Sequence, residues 1–223
     1  MDPRLQQLLK IVVEEYVATA EPVGSQYLVD QHELDVSPAT VRNWFAELED
    51  QGYLIQPHIS GGRIPTEKGF RAYIEWFVQP KPAQKRERAL LEKAVEAPRG
   101  ERMKNLAKAL AELSGAATIM SVKDAELFYT GLSQLFSQPE FQDLRRIVHM
   151  TDMLEHLDVT MKRLRQEGDF EPQILLGNES PFGPGSGMIV ASNGSRMIGV
   201  VGPVRMDYQS ITSLLSSALN LLE

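Results

Sequence analysis

The stretch from Leu48 to Phe70 constrains the fold of this chain more than any other segment. Its sequence, LEDQGYLIQPHISGGRIPTEKGF, has a glycine able to end a helix, short apolar runs around a polar tip, and a threonine able to cap a new helix. We predict a strand over 53–56, a tip over 60–62 where glycine permits positive φ, and a return strand over 63–65. A helix followed by a glycine-tipped hairpin and another helix is typical of the wing of a winged helix-turn-helix.

Three helices are predicted ahead of this hairpin. Apolar residues recur at helical spacing over 3–19. Ser25 can cap a short second helix. Ser37 suits the cap of a third helix, and Pro38 suits its first position, where the missing N–H costs nothing. We expect this third helix to end near Gln51.

The third helix carries the side chains predicted to read DNA. Val41 and Phe45 belong to its apolar stripe, so Thr40, Arg42 and Asn43 project away from the core. In a helix-turn-helix these early positions meet base edges in the major groove. Arginine pairs with guanine and asparagine with adenine. The alternative is a solvated polar face on an ordinary helix, but the hairpin that follows favours base readout.

Further DNA contacts are predicted on both sides of this helix. Lys68 and Arg71 stand one helical turn apart, which suits contact with the DNA backbone but is equally typical of a solvated helix face. The hairpin tip suits a phosphate or the minor groove, with a generic surface hairpin as the alternative. The full predicted DNA-binding set is Ser25, Gln26, Ser37, Pro38, Thr40, Arg42, Asn43, His58, Ser60, Gly62, Arg63, Thr66, Lys68 and Arg71.

Charge is distributed unevenly along the chain, whose net charge is −7. Residues 1–80 hold six Lys/Arg and twelve Asp/Glu, but four of these six cations lie in or beside the third helix and the hairpin. Such a domain should bind random DNA poorly, because phosphate neutralisation drives non-specific affinity. Base readout and dimerisation must then supply more of the binding.

The rest of the chain predicts a second, α+β region. Residues 81–108 hold nine Lys/Arg and four Asp/Glu, and we interpret them as a basic linker or helix that either contacts flanking DNA or faces solvent. The turn at Asn193-Gly194 is a strong hairpin signal. Asp207 can cap a final helix. The predicted elements are helices over 101–114, 139–149 and 152–167 and strands over 116–122, 173–176, 187–192 and 197–201.

The residues indicate neither an enzyme nor a metal or cofactor site. No Ser/His/Asp or paired-carboxylate arrangement stands out, and the glycine-rich run over 183–187 lacks the strand–helix context of a phosphate cradle. His149 and His156 have no carboxylate in ligand register, and the chain has no cysteine. No apolar run approaches the ~20 residues of a membrane span. No export signal is evident, so we expect a cytoplasmic protein without membrane contact.

Several runs of residues resemble the family of the heat-inducible transcription repressor HrcA. In the N-terminal half they are EEY at 14–16, EPVGS at 21–25, VSPATVRN at 36–43, ELE at 47–49 and QPHISGGRIPTEKG at 56–69. In the C-terminal half they are GLS at 131–133, QPEFQDL at 138–144, LGNES at 176–180 and GVVGPVRMDY at 199–208.

This resemblance implies a dimeric repressor that binds an inverted-repeat operator upstream of chaperone operons. It also implies that the chaperonin GroEL keeps the repressor active and that heat relieves repression. The implied fold is a winged helix, a GAF-like domain and an inserted dimerising segment. We therefore expect an α+β chain with a winged-helix DNA-binding domain over 1–80, a basic linker or helix over 81–108, and a reduced GAF-like dimerisation and regulatory domain over 109–223.

The chain departs from the family pattern at several positions. Between Met120 and Asp124 it passes from one family segment to a much later one, so the central GAF strands and the insertion are expected to be missing. Gln26 stands where the family usually has a basic residue, Trp44 replaces a usual acid, and Ile59 replaces a usual threonine.

The sequence thus predicts a sequence-specific DNA-binding repressor of heat-shock genes. The alternative is a sensor or protein-interaction module whose winged helix no longer reads DNA specifically. The acidic N-terminal region and the uncharged Gln26 favour that alternative.

Overall fold

A computed structural model of the chain describes residues 1–58, 61–79, 81–122, 127–165, 170–193 and 195–222. The chain forms two compact units, Met1–Val78 and Gln79–Glu223. Helices and antiparallel strands occur in both units, so the fold class is α+β, as predicted.

The described part of the first unit forms four helices and a short hairpin around one apolar core. Leu9, Val12 and Leu28 are fully buried there with Val41 and Leu48, so three successive helices share the core. The helices predicted from apolar spacing are confirmed. Their bounds are α1 Pro3–Thr19, α2 Ser25–Gln31, α3 Pro38–Asp50, β1 Leu54–Ile55, β2 Ile64–Pro65 and α4 Glu67–Phe77.

Local sequence sets both ends of α3. The Ser37 hydroxyl accepts a hydrogen bond from the Thr40 amide at 3.1 Å, and Pro38 occupies the first helical position. At the other end Gly52 has φ +76°, and the Gly52 amide donates to the carbonyl of Glu49 at 2.8 Å. A glycine in this left-handed conformation allows backbone N–H groups to hydrogen-bond carbonyl groups of the last helical turn that would otherwise lack a partner. The predicted start and stop of this helix are therefore confirmed.

The hairpin is shorter than predicted, and its glycines serve a different purpose. Gly62 does not have a positive φ, so that expectation was wrong for this residue. Gly62 is instead required by close approach, because a Cβ there would lie 2.4 Å from the carbonyl carbon and oxygen of Val23. Arg63 and Val23 exchange two backbone hydrogen bonds of 2.9 Å, which adds a third backbone segment beside β2.

The described strands of the second unit are β3 Ala117–Val122, β4 Leu127–Thr130, β5 Phe170–Leu176, β6 Ser186–Ser192 and β7 Arg196–Pro203. They form one five-stranded antiparallel sheet in the order β4-β3-β7-β6-β5. The predicted β6–β7 hairpin is confirmed by the pairing of Ser192 with Met197, although Gly194 lies outside the described residues. The helices of this unit are α5 Lys85–Val95, α6 Arg99–Ser114, α7 Leu132–Phe136, α8 Leu144–Glu155, α9 Leu157–Arg165 and α10 Tyr208–Asn220.

Helices cover both faces of this sheet. On one face Met188 and Val190 pack with buried residues of α8 and α9 such as Met150 and Met161. On the other face α10 packs on β6, and α6 packs on β3. Strand residues alternate between the two faces, so side chains on both faces of the central strands β3, β7 and β6 are buried. Helix α10 buries Ile211, Leu214, Leu215 and Ala218, and Leu222 just beyond its end is buried as well.

The segment 81–108 is folded into the second unit. It forms α5 and the first part of α6, which pack against each other and against α10. Leu91 and Leu106 are fully buried in these contacts. Of the two forms predicted for this segment, the structure shows the helical one.

Some element boundaries differ from those predicted. The helix expected over 139–149 begins only at Leu144, because Asp143 caps it with a 2.9 Å bond from the Arg145 amide, and 139–141 form a 3-10 helix. Strand β4 and helix α7 were not predicted. β4 pairs with β3 through Met120 and Phe128. The jump in the family resemblance therefore begins within β3, and it ends at Asp124, outside the described residues.

No described helix has both the length and the apolar character needed to cross a bilayer.

We expect Gly69→Ala to destabilise the first unit by about 1–3 kcal/mol, the usual cost of overpacking. A Cβ at this position of α4 would lie 2.2 Å from the Tyr53 carbonyl oxygen, so the hairpin or the helix must shift. Thermal unfolding checks this, with Gly100→Ala as the control. A Cβ at Gly100 meets nothing within 4 Å, so that variant should be neutral or slightly stabilising. Equal melting temperatures for the two variants would contradict the expected clash.

Candidate nucleic-acid interface

Two of the predicted base-reading side chains lie side by side on the outer face of α3. Arg42 and Asn43 are exposed, whereas Val41 and Phe45 are buried against the core. Thr40 is half-buried, and its hydroxyl lies 2.9 Å from the Ser37 hydroxyl. The helix therefore presents a guanidinium and a carboxamide together near its N-terminus.

The outer face of α3 changes charge along its length. The first half carries the cation Arg42, whereas Glu47 and Asp50 are exposed in the second half. Carboxylates repel the phosphates of a double helix, so only the N-terminal half of α3 suits contact with DNA. The positive end of the helix dipole lies at the same end.

The start of α2 reaches the same region through Arg42. The Arg42 guanidinium donates to the Ser25 hydroxyl at 3.3 Å. Ser25 is the first residue of α2 and not its cap, because Gly24 occupies the cap position without a side-chain bond, which corrects our prediction. Gln26 is exposed, and its amide donates to both carboxylate oxygens of Asp30 at 2.9 and 3.1 Å.

Arg63 points back into the first unit and is not freely presented to solvent. Its Nε lies 2.8 Å from the Glu49 carboxylate, and only 18% of its side chain is exposed. The N–H does not point at a hydrogen-bond acceptor, so the contact is an ion pair without hydrogen-bond geometry. The guanidinium also lies 5.8 Å from the ring centre of Phe45. Arg63 thus joins the hairpin to α3.

The polar residues at the start of α4 also have partners within the unit. The Lys68 ammonium donates to the Gln51 carbonyl at 2.7 Å and lies 4.6 Å from the ring centre of Tyr53. Arg71 forms a 3.1 Å ion pair with Glu67 one turn earlier. These contacts engage both cations within the unit and reduce the charge available to an external phosphate.

The remaining predicted residues of the hairpin divide between structural and exposed positions. The Thr66 hydroxyl accepts from the Gly69 amide at 3.1 Å and donates to the Gly52 carbonyl at 2.7 Å, so it caps α4 as predicted. Gly62 faces the backbone of Val23, as described above. His58 is exposed at the hairpin tip, and Ser60 lies outside the described residues.

A polar cluster that sequence reasoning missed holds α2 against α1. Glu15 accepts from the Tyr27 hydroxyl at 2.6 Å, and Nε2 of His32 lies 2.9 Å from the other oxygen of the same carboxylate. The hydrogen bond from Tyr27 to the carboxylate raises the pKa of the phenol above its ordinary value. Glu49 was likewise missed, because nothing in its local sequence indicates a partner fourteen residues away.

The described residues contain no group of three or more His, Cys, Asp or Glu that could hold a metal ion.

Comparison with known proteins connects this geometry to a family. The family model described as the HrcA protein C-terminal domain matches residues 68–212, which is more than half of the chain. The chain belongs to the HrcA family. Sequence reasoning identified the same family from motifs in both halves of the chain, and that identification is confirmed.

The similar curated proteins are heat-inducible transcription repressors HrcA. The one from Acidothermus cellulolyticus is 50% identical over 92 residues, which are 41% of this chain and 27% of that protein. The one from Nocardioides sp. is 54% identical over 81 residues, which are 36% of this chain and 24% of that protein. Each match therefore spans about a quarter of the relative's length. These HrcA proteins are named as repressors and not as enzymes, in agreement with our prediction.

A solved structure shares the fold of this HrcA-family chain. It is titled as the crystal structure of a hypothetical protein at 2.2 Å resolution, and it superposes with a TM-score of 0.76 at 17% identity. The match covers 100% of this chain and 97% of that chain, so the likeness extends through both units.

We expect Glu49→Gln to lower the free energy of unfolding of the HrcA-family chain by about 1–2 kcal/mol. The variant leaves the largely buried Arg63 guanidinium without its counter-charge. The loss of stability should therefore fall between that of breaking an exposed ion pair and that of breaking a buried one. Urea unfolding measures the change. Asp50→Asn, which removes the same charge from an exposed position on the same helix, should stay within about 0.5 kcal/mol of the parent. If both variants unfold alike, the ion pair does not hold the hairpin.

Proposed function

We propose that this chain is a sequence-specific DNA-binding repressor of heat-shock and chaperone genes. In this proposal residues 1–80 form a winged helix-turn-helix, with α3 as the recognition helix and the β1–β2 hairpin as the wing. Residues 109–223 form a reduced GAF-like dimerisation and regulatory domain. The names of the HrcA relatives support the regulatory role, and the geometry of the first unit supports DNA as the partner.

The observation that carries the proposal is the exposed pair Arg42 and Asn43 near the N-terminus of α3. Arginine can donate two hydrogen bonds to guanine O6 and N7, and asparagine can pair with adenine N6 and N7. The buried side of the same helix is fixed by Val41, Phe45 and Leu48, so the two polar side chains are held outward by packing. Thr40 and the Ser37 cap lie beside them and suit contact with base or phosphate.

We assign the wing residues a mainly positioning role. Arg63 is held by Glu49, and Lys68 by the carbonyl of Gln51, so these cations orient the hairpin beside α3. Exposed His58 at the hairpin tip remains suited to contact a phosphate. With few free cations, the domain should show weak non-specific binding and a shallow dependence on salt.

Two copies are proposed to bind an inverted repeat. Each recognition helix presents one cation and one carboxamide, so a single half-site provides little binding energy. Pairing two copies adds affinity through effective concentration. Half-sites should then lie about 34–36 Å apart, or a multiple of that distance, so that both helices enter the major groove on one side of the duplex.

Replacing Arg42 by Ala should weaken binding to the operator by about 1–3 kcal/mol, or roughly 5- to 150-fold, and relax the preference at one base pair. Genomic fragments bound by the purified protein supply the operator. Affinity for that operator and for a scrambled duplex then gives the specificity ratio. Lys104→Ala, which removes an exposed cation from α6, should leave both affinities nearly unchanged. Equal losses for Arg42→Ala on operator and scrambled DNA would reject base readout.

A second candidate function is favoured by the internal partners of the wing cations. A first unit in which Arg63 of the hairpin and Lys68 and Arg71 of α4 are all engaged internally also suits a sensor or protein-interaction module that does not read DNA specifically. In that case no genomic fragment would be enriched above scrambled DNA, whereas a protein partner would bind tightly.

Control by the chaperonin GroEL is proposed from the family resemblance. Purified GroEL added to the protein should raise the fraction that binds the selected fragment, and brief heating should lower it. A binding fraction that does not respond to GroEL would remove the chaperonin from the proposed function without affecting DNA recognition. The proposal also places the protein in the cytoplasm, where both partners would be available.

A further inference from the structure

The outer face of α8 exposes large apolar side chains. Leu144 is 70% exposed and Val148 is 60% exposed, and they are four residues apart on one face of the helix. The opposite side of α8 is anchored in the core by Met150, with Ile147 partly buried against it. A fully solvated helix face usually carries polar residues, so exposed apolar side chains at helical spacing indicate a surface that is covered by a partner.

Charges on this outer face have opposite signs on the two sides of Val148. Arg145 precedes it, and Asp152 and Glu155 follow it, all three exposed. Arg145 and Asp152 are seven residues apart, close to two helical turns or about 10.5 Å along the axis. Their midpoint falls beside Val148. This face is therefore complementary to itself when a second copy of the helix runs in the opposite direction.

We propose that two copies of this chain associate through the outer faces of their α8 helices, packed antiparallel about a two-fold axis near Val148. The inference deepens the proposed function, because it names the surface that forms the proposed dimer. Arg145 of each copy lies opposite Asp152 of the other, and the Val148 side chains of both copies meet at the centre, with Leu144 about one helical turn away on each side. A two-fold contact of this kind uses the same patch on both subunits and closes as a dimer.

The groups around Arg145 leave it able to form the proposed ion pair with Asp152 of a second copy. Its guanidinium forms a 3.1 Å ion pair with Asp143 at the start of α8, but 92% of its side chain is exposed, so it remains accessible to a second acceptor. No described ion pair engages Asp152 or Glu155. Arg146 lies off this face, with its guanidinium 3.7 Å from the position of a Cβ on Gly185, and takes no part in the contact.

Charge reversal on the full-length chain tests this arrangement. Arg145→Glu alone, or Asp152→Arg alone, should each raise the dimer dissociation constant roughly tenfold, because both symmetry-related contacts become repulsive at once. An equimolar mixture of the two variants should recover the parent affinity, since each contact then joins opposite charges. The double variant R145E/D152R should recover it as well. Sedimentation equilibrium over a range of concentrations measures the dissociation constants.

The apolar centre and the fold need separate controls. Val148→Glu should leave the protein monomeric, while circular dichroism should show the helical content of the parent because that side chain is exposed. Lys104→Glu, a reversal on α6, should not change the dissociation constant. A parent that is monomeric at all concentrations would overturn the proposal. Single reversals without effect, or a mixture that stays weak, would overturn it as well.

Failure of this inference is distinguishable from failure of the proposed function. Binding to a duplex with one half-site needs no second copy, so Arg145→Glu should leave it unchanged and weaken only binding to the complete inverted repeat. If dimerisation follows the charge reversals but no DNA is selected, the surface stands and the DNA-binding proposal fails. If one half-site is bound specifically but the reversals have no effect on dimerisation, only the α8 surface is rejected.

Discussion

The ion pair between Arg63 and Glu49 determines what the hairpin of the first unit can present to a partner. It joins the hairpin to the end of α3, and the backbone pairing of Arg63 with Val23 joins the same residue to the segment before α2. Gly62 permits this approach because a Cβ would collide with the Val23 backbone. The hairpin is therefore positioned by internal contacts, and Arg63, one of the six Lys/Arg of residues 1–80, is used for that purpose.

Because these cations have partners within the unit, few of them remain for the proposed binding of DNA. The first unit is acidic overall, and its cations at the hairpin and α4 are held by carboxylates or carbonyls. Exposed Arg42 and Asn43 then carry most of the proposed discrimination between bases. A binder of this kind depends on correct bases and on a second copy, since a general attraction to phosphates is weak. Such a balance suits a repressor that must release random DNA easily.

In the proposed dimer, the second unit supplies the surface through which the two copies pair. Its antiparallel sheet is buried on both faces, which leaves the outer sides of the covering helices as the surfaces available to partners. On α8 the exposed Val148 and the opposed charges of Arg145 and Asp152 form a surface complementary to itself. Strand β4 lies at one edge of the same sheet, where Phe128 pairs with Met120 of β3.

Local signals in the sequence were sufficient to place most elements of this chain. Apolar spacing and caps such as Ser37 and Asp207 act within a few residues, so the helices of the first unit and the last helix were predicted close to their observed bounds. The exposure of Arg42 followed from the same helical period. Only the tertiary structure decided that Arg63 turns inward to Glu49 and that Gly62 serves close approach, because both depend on residues brought together by folding.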